Sequence, residues 1–262
     1  MRYCLFLVAL MAPAADLQQD LVFRASFNDS LNAEKSPGDP KLYSAPDYKD
    51  YKTAGKAGLA GTHVVHENGA LHFTKKNTQA VFFKADRISS QQGTLSFFLQ
   101  LDPNLDLEPG YVDPLQLTDK AYNDSALWVD FTKDDQPRHF RLGAFGVLKS
   151  WNPQNLPPDT NPNFNQRLVI VKQPPFARGK WTHVAITYSK LGDGAGQAQL
   201  YLDGHLQGAT SLIKEPFEWA VGQATLRLGV NYTGWIDEIA IYRRPLTAAE
   251  IANVGQQQRP RK

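Results

Sequence analysis

Apolar and polar residues alternate along much of this chain with the period of two that a half-buried strand requires. In the first such run Leu21, Phe23 and Ala25 share one face and Val22, Arg24 and Ser26 the other, and the run stops at the turn-forming Asn28-Asp29-Ser30. Residues 70–73 and 79–83 read as two short strands joined by a polar turn at Lys75-Lys76-Asn77, and 93–101 as a longer one with Leu95, Phe97, Leu99 and Leu101 on one side. Further strands are expected at 168–171, 181–189, 225–230 and 235–242. Residues 198–202 and 205–209 flank Asp203-Gly204, a pair suited to the positive φ angles of a two-residue hairpin turn. One helix is expected, starting at Thr247, where the threonine followed three residues later by Glu250 forms a capping box. Residues 32–60 read as loop. The stretch 102–165 is polar and proline-rich, with a single hairpin over 127–145. Many short strands with turn signals between them predict an all-β, two-sheet antiparallel sandwich with one short C-terminal helical turn. Its expected domain spans 21–252, preceded by a short linker at 15–20 and followed by a flexible polar tail at 253–262.

Composition and charge narrow the functional classes. At 262 residues the chain is long for an average domain, yet of a length that sandwiches reach as one unit. The net charge of +2 falls to +1 once residues 1–14 are set aside, because they carry Arg2 and no acid. Such a chain has no field for gripping a polyanion, and the basic end Arg259-Pro260-Arg261-Lys262 reads as a solvated terminus, so no nucleic-acid partner is expected. Met1-Arg2, the apolar run 3–11 and Ala12-Pro13-Ala14-Ala15 have the order of an export signal, with cleavage expected near Ala14 or Ala15 and a secreted, periplasmic or extracellular location. The single cysteine, Cys4, lies inside that segment, so a processed chain has no disulfide and no thiol chemistry. No stretch is long and apolar enough to be a membrane-spanning helix.

Several motifs then identify a resemblance. Trp181-Thr182-His183-Val184-Ala185, Leu200-Tyr201-Leu202-Asp203-Gly204, Leu226-Arg227-Leu228-Gly229 and the run 234–242 follow one another in the order and spacing of the laminin-G-like jelly-roll domains of the concanavalin A-like superfamily. The Arg244-Pro245-Leu246-Thr247 segment completes the pattern. Upstream, 27–30 resembles the family's first strand and acidic turn, and 93–98 its middle strand. The resemblance covers about 21–252, with 102–165 longer than the family's usual connection, as in secreted proteins of this type from planctomycete-like bacteria. It implies a jelly roll and, at Asp29, Asp237 and Glu238, acids suited to a structural calcium, although the family's usual Phe-Asp start is Phe27-Asn28 here.

Read residue by residue, the hairpin 127–145 is the first candidate binding surface. Leu127, Val129 and Phe131 should face Phe140, Leu142 and Ala144 in the core, which puts Trp128, Asp130, His139 and Arg141 on the other side. An indole beside carboxylate, imidazole and guanidinium groups suits a sugar, whose ring face is apolar and whose rim is hydroxyl. The second candidate is the stretch 111–124, read as a loop, with Tyr111, Asp113, Tyr122 and Asp124; Trp151 stands in a similar setting. The histidines do not cluster as ligands, and His183 reads as a packed strand residue beside a core Trp181.

No catalytic motif is present. The paired-carboxylate string of sandwich glycosidases, the arginine- and histidine-bearing strands of sandwich lyases, a Gly-x-Ser-x-Gly elbow and a His-Glu-x-x-His zinc motif are all missing from the sequence. The leading expectation is a non-catalytic module that binds carbohydrate. The alternatives are a protein-interaction or envelope structural module with an extracellular protein partner, and a polysaccharide-active enzyme built on a pair such as Asp130 and His139.

Overall fold

The computed structural model describes residues 17–49, 51, 55–220 and 222–260. The expected export signal and Cys4 lie outside the described residues. After α1 (Leu17–Asp20) the strands are β1 (Leu21–Ala25), β2 (Leu42–Ala45), β3 (Lys56–Ala57), β4 (Val64–Glu67), β5 (Ala70–Phe73), β6 (Ala80–Lys84), β7 (Gly93–Gln100) and β8 (Val112–Thr118). Then follow β9 (Ala126–Phe131), β10 (Phe140–Phe145), α2 (Leu148–Trp151), β11 (Leu168–Val171), β12 (Thr182–Ser189), β13 (Gln197–Leu202), β14 (His205–Ala209), β15 (Thr225–Val230), β16 (Gly234–Tyr242) and α3 (Ala248–Gln257).

These strands form two antiparallel sheets packed as a jelly-roll sandwich. Sheet A runs β14-β13-β12-β7-β16-β5-β4, with β1 also on β16, and sheet B runs β11-β10-β9-β8-β15-β6-β2-β3. The first and last strands are neighbours. Gly234–Ile236 pairs with β5, a bulge interrupts β16 between Asp237 and Ala240, and Ile239–Tyr242 pairs with β1. The core lies between the sheets: Phe23, Phe73, Phe97, Val184, Ile186 and Ile241 of sheet A meet Phe83, Leu117, Val129, Phe131, Leu142 and Leu228 of sheet B. Each of these positions belongs to an alternating run, so burial of one face is what selects the register.

Most predicted strands are present within a residue or two. Asp203 and Gly204 carry φ of 48° and 80°, the double positive φ of the tight hairpin. Four departures have physical reasons. First, β2, β3 and β4 occupy ground read as loop or left unassigned; each is four residues or fewer, too short for alternation to register. Second, β8 occupies much of the stretch read as a loop, because Pro114 within it carries a turn signal. Third, α3 continues past Gly255 to Gln257 and buries Val254, so the helix takes in much of the expected tail. Gly255 is a packing residue there: a Cβ would stand 2.7 Å from His183 Nδ1. Fourth, Trp181 is only half buried and stands before β12, outside the core.

Candidate functional site

The outer face of sheet B carries the site, and the β9–β10 hairpin supplies its floor. The register pairs Phe140 with Phe131, Arg141 with Asp130, Leu142 with Val129 and Gly143 with Trp128. Leu127, Val129, Phe131, Phe140, Leu142 and Ala144 enter the core, as alternation requires. Trp128, Asp130 and Arg141 therefore face outward. The indole lies flat across Gly143, where a Cβ would come within 2.2 Å of the ring. Its other contacts are Phe145, stacked at 5.7 Å, and the Tyr122 carbonyl, which accepts from Nε1 at 2.7 Å. Trp128 is only 3% exposed, so it is a floor residue and not a free stacking platform.

A bulge in β8 brings the next acid to this face. Opposite β9 the register slips by one residue between Val112 and Leu115, around Pro114, which has no N–H to give to a ladder. Strict alternation would put Asp113 on the core side with Leu115 and Leu117. The extra residue lets Val112, Leu115 and Leu117 all enter the core while Asp113 and Gln116 turn out together, joined by a Gln116 Nε2 to Asp113 Oδ2 hydrogen bond of 2.5 Å. Tyr111, just before the strand, stands over the Arg141 guanidinium at 5.2 Å.

The segment between β10 and β11 forms a roof. Asp124 Oδ1 accepts from the Leu148 N–H at 3.0 Å at the start of α2, and Trp151 Nε1 donates to the Asn123 carbonyl at 2.9 Å. Trp151 and Phe164 then pack with Phe145, Trp128 and Leu168 into a small apolar cluster. Between this roof and the sheet remains a cavity of about 680 Å³. Its lining comprises Tyr111, Asp113, Tyr122, Trp128, Asp130 and Arg141 from below and residues 158–162, Phe164 and Asn165 from above. Tyr111 and Tyr122 are 43% and 41% exposed, so two phenol rings stand open to solvent here.

The floor is electrostatically self-contained. Arg141 closes a two-point fork on Asp130, with Nε to Oδ1 at 2.8 Å and Nη2 on Oδ2, and its plane lies 5.7 Å over Trp128. Burial pushes the Asp113 carboxyl well above the ordinary carboxylate range, and the Asp130 charge adds to the push; Gln116 and Arg141 oppose it. Burial lifts Asp130 as well, against the pull of its Arg141 fork. Asp113 has no such fork and is the member of the pair that keeps the proton.

Six of the nine residues singled out in the sequence thus converge on one cavity. The other three do not. His139 precedes β10 and turns its ring to Asp135, with Nδ1 3.4 Å from that carboxylate. Asp124 serves α2, and Trp151 is packed inside the roof with Arg167 stacked on it at 4.8 Å. The roof residues 158–165 were missed; a run of Pro, Asn, Asp and Thr carries no period to place it.

The three acids suggested for calcium do not supply an oxygen shell. Asp29 is exposed. Glu238 faces Arg24 through Nη2 at 2.5 Å and the Asn28 amide at 3.2 Å, and Asp237 Oδ1 accepts from the Glu238 N–H. Among the described residues no group of three His, Cys, Asp or Glu side chains is disposed to hold a metal ion. A cation and an amide already directed at Glu238 are the wrong neighbours for calcium.

Comparison with known proteins follows the fold. No curated protein matches the chain. Among solved structures, domain 4 of the extracellular arabinanase AbnA from Geobacillus stearothermophilus, in complex with arabinotriose, superimposes with a TM-score of 0.56 at 17% identity, covering 90% of this chain and 98% of that one. The binding domain of botulinum neurotoxin serotype D/C gives 0.61 at 10% identity over 93% of this chain, which spans about half (53%) of that one. A botulinum neurotoxin DC binding domain in complex with SialylT gives 0.54 at 11%. At these identities the likeness is one of fold. The family model Laminin_G_3 matches residues 60–252, most of the chain, and the protein therefore belongs to this family of the concanavalin A-like lectin/glucanases superfamily.

Proposed function

We propose that the protein is a secreted, non-catalytic binding module whose sheet B cavity holds part of a carbohydrate chain. One observation carries this reading: two half-exposed phenol rings, Tyr111 and Tyr122, line a cavity whose floor presents an indole edge, two carboxyl groups and a guanidinium. Aromatic faces match the C–H faces of a pyranose or furanose, and fixed polar groups match its hydroxyls. The fold is one in which an arabinanase domain holds arabinotriose and a toxin binding domain holds SialylT, which supports the same reading. Binding is favoured over hydrolysis by the state of Asp130: both of its oxygens are held by Arg141, which ties up the carboxylate a nucleophile or base would need.

Affinity electrophoresis of the chain lacking residues 1–14 through gels containing single polysaccharides tests the proposal. The expected result is retardation by at least one polymer, reduced about tenfold in affinity by Tyr122→Ala, a change at an exposed ring whose backbone carbonyl still serves Trp128. Trp128→Ala is the poorer probe, because removing a buried indole reports on packing as much as on ligand. Unretarded migration in every gel would sink the reading.

A further inference from the structure

The charges around the cavity specify what kind of sugar fits. Its carboxyl groups come from three elements: Asp113 on β8, Asp130 on β9 and Asp159 on the roof. Among the described residues its one lining cation is Arg141 on β10, and that fork is closed on Asp130 and lies 5.2 Å from the Tyr111 ring and 5.7 Å from the Trp128 ring. Lys133 stands over Tyr111 at 5.8 Å, paired with Asp134 at 3.2 Å, and does not line the cavity. Asp130 already neutralises the Arg141 charge, so a ligand carboxylate or sulfate would gain no net cation in the cavity and would meet the acids that line it. A hydroxyl group has no such obstacle. Gln116 engages one Asp113 oxygen, and the other makes no hydrogen bond among the described residues although Asp113 lines the cavity and is part-exposed.

We infer that the cavity takes a neutral, hydroxyl-bearing sugar residue, with Asp113 as a hydrogen-bond donor to it, and rejects uronate, sulfated and sialylated chains; this rests on the carbohydrate-binding reading above. Geometry supplies the donor: Gln116 donates to Oδ2, so the proton belongs on Oδ1. Burial and the Asp130 charge keep that proton in place near neutrality. The groups around Asp113 are Gln116 on its own strand, Asp130, Arg141, Tyr111, Tyr122 and Tyr51, with Asp159 lining the cavity from the roof; Tyr51 and Tyr122 are themselves pushed up by burial. Raising the pH through the slightly alkaline range removes the Asp113 proton, converts the donor to an acceptor and places a second negative charge beside Asp130.

The test measures affinity for soluble arabinan, xylan, galactomannan and mixed-linkage glucan, and for polygalacturonate, alginate, heparin and a sialylated glycan, at pH 6 and pH 9. The expected result is binding to a neutral polymer only, weakened at least about fivefold at pH 9 and about tenfold by Tyr122→Ala. In Asp113→Asn the amide oxygen accepts from Gln116 and the NH₂ group donates into the cavity at any pH, so the pH 6 to pH 9 difference should disappear. Binding of an anionic polymer that Tyr122→Ala weakens would overturn the inference and leave the carbohydrate-binding reading standing. A pH difference that survives in Asp113→Asn would overturn the donor role. Failure of every polymer to bind would overturn both.

Discussion

Two acid clusters in this protein share most of their parts and differ in one. Asp113, Asp130 and Arg141 stand at a bulge in β8, and Asp237, Glu238 and Arg24 stand at a bulge in β16. Each has a carboxylate paired with an arginine and, beside it, an aspartate outside that pair lifted above its ordinary range by burial. In both, the bulge breaks strict alternation and so frees an acid from the face its neighbours occupy. What differs is the cover. An irregular roof of Pro, Asn and Thr residues lies above the first and leaves an open cavity. The second joins strands: Arg24 of β1 reaches Glu238 just where β16 exchanges β5 for β1, and the Asn28 amide adds a bond from the following turn. The same chemistry therefore lines a cavity in one place and joins strands in the other. A neighbouring contrast makes the same point about covers. On sheet A, the apolar stripe of α3, through Ile251 and Val254, closes on Tyr201, Ala185 and Tyr242. A regular helix satisfies its own backbone and can lie flat on a sheet. An irregular segment must bond its backbone elsewhere, and it leaves space.

Substitutions can break or sharpen that comparison. The largest effect should come from Glu238→Ala, which strands the Arg24 cation and the Asn28 amide; a loss of about 2–3 kcal/mol in urea denaturation is expected, with polysaccharide affinity unchanged. An equal loss of affinity would mean the two clusters are not separate. Next, Gly143→Ala should cost about 1–3 kcal/mol, since its Cβ would meet the Trp128 ring at 2.2 Å, and it should disturb binding as well as stability. Smaller in stability is Tyr111→Ala at the exposed rim. A melting curve close to that of the parent is expected, within about 0.5 kcal/mol, together with weaker polysaccharide binding. An unchanged affinity would remove Tyr111 from the site.

Two further tests read slopes with pH. Asp237 is raised to about 8 in the folded protein, chiefly by burial, so the folded state holds its proton where the unfolded state has released it. Stability from this group is full below the ordinary aspartate range and is lost as pH rises from there towards 8; Asp237→Asn should flatten that decline by up to about 1.4 kcal/mol per pH unit. His183 works in the opposite sense. Burial against Phe98, with Nε2 on Ser96 Oγ at 2.8 Å, pushes it down to about 4. Its contribution is full above the ordinary histidine range and is lost as pH falls from there towards 4. Thermal melts of His183→Gln across that interval should show a shallower acid limb, and an unaltered limb would locate the proton elsewhere.

The alternating runs determined much of this molecule on their own. Most of the longer strands (β8 excepted), the split of the β9–β10 hairpin into a core face and a polar face, the Asp203-Gly204 turn and the Thr247 capping box are local consequences of period, φ preference and side-chain chemistry, and could be read before any fold was known. Trp128, Asp130 and Arg141 were legible as neighbours for that reason. Tyr111, Asp113 and Tyr122 were legible as a chemistry-rich stretch but not as part of the same wall. Their place depends on a register slip around Pro114, and a slip shows itself only when β8 has β9 beside it. The roof was not legible at all, because 158–165 has no period and its position follows from Trp151 and Phe164 finding Phe145. His139 shows the opposite limit: its place beside the strand was foreseen, but its ring turns to Asp135 and does not line the cavity. Local sequence thus chose the faces. Tertiary structure chose which polar face would be covered tightly and which loosely, because cover is set by segments distant in the chain that must satisfy their own backbones before they can close on anything.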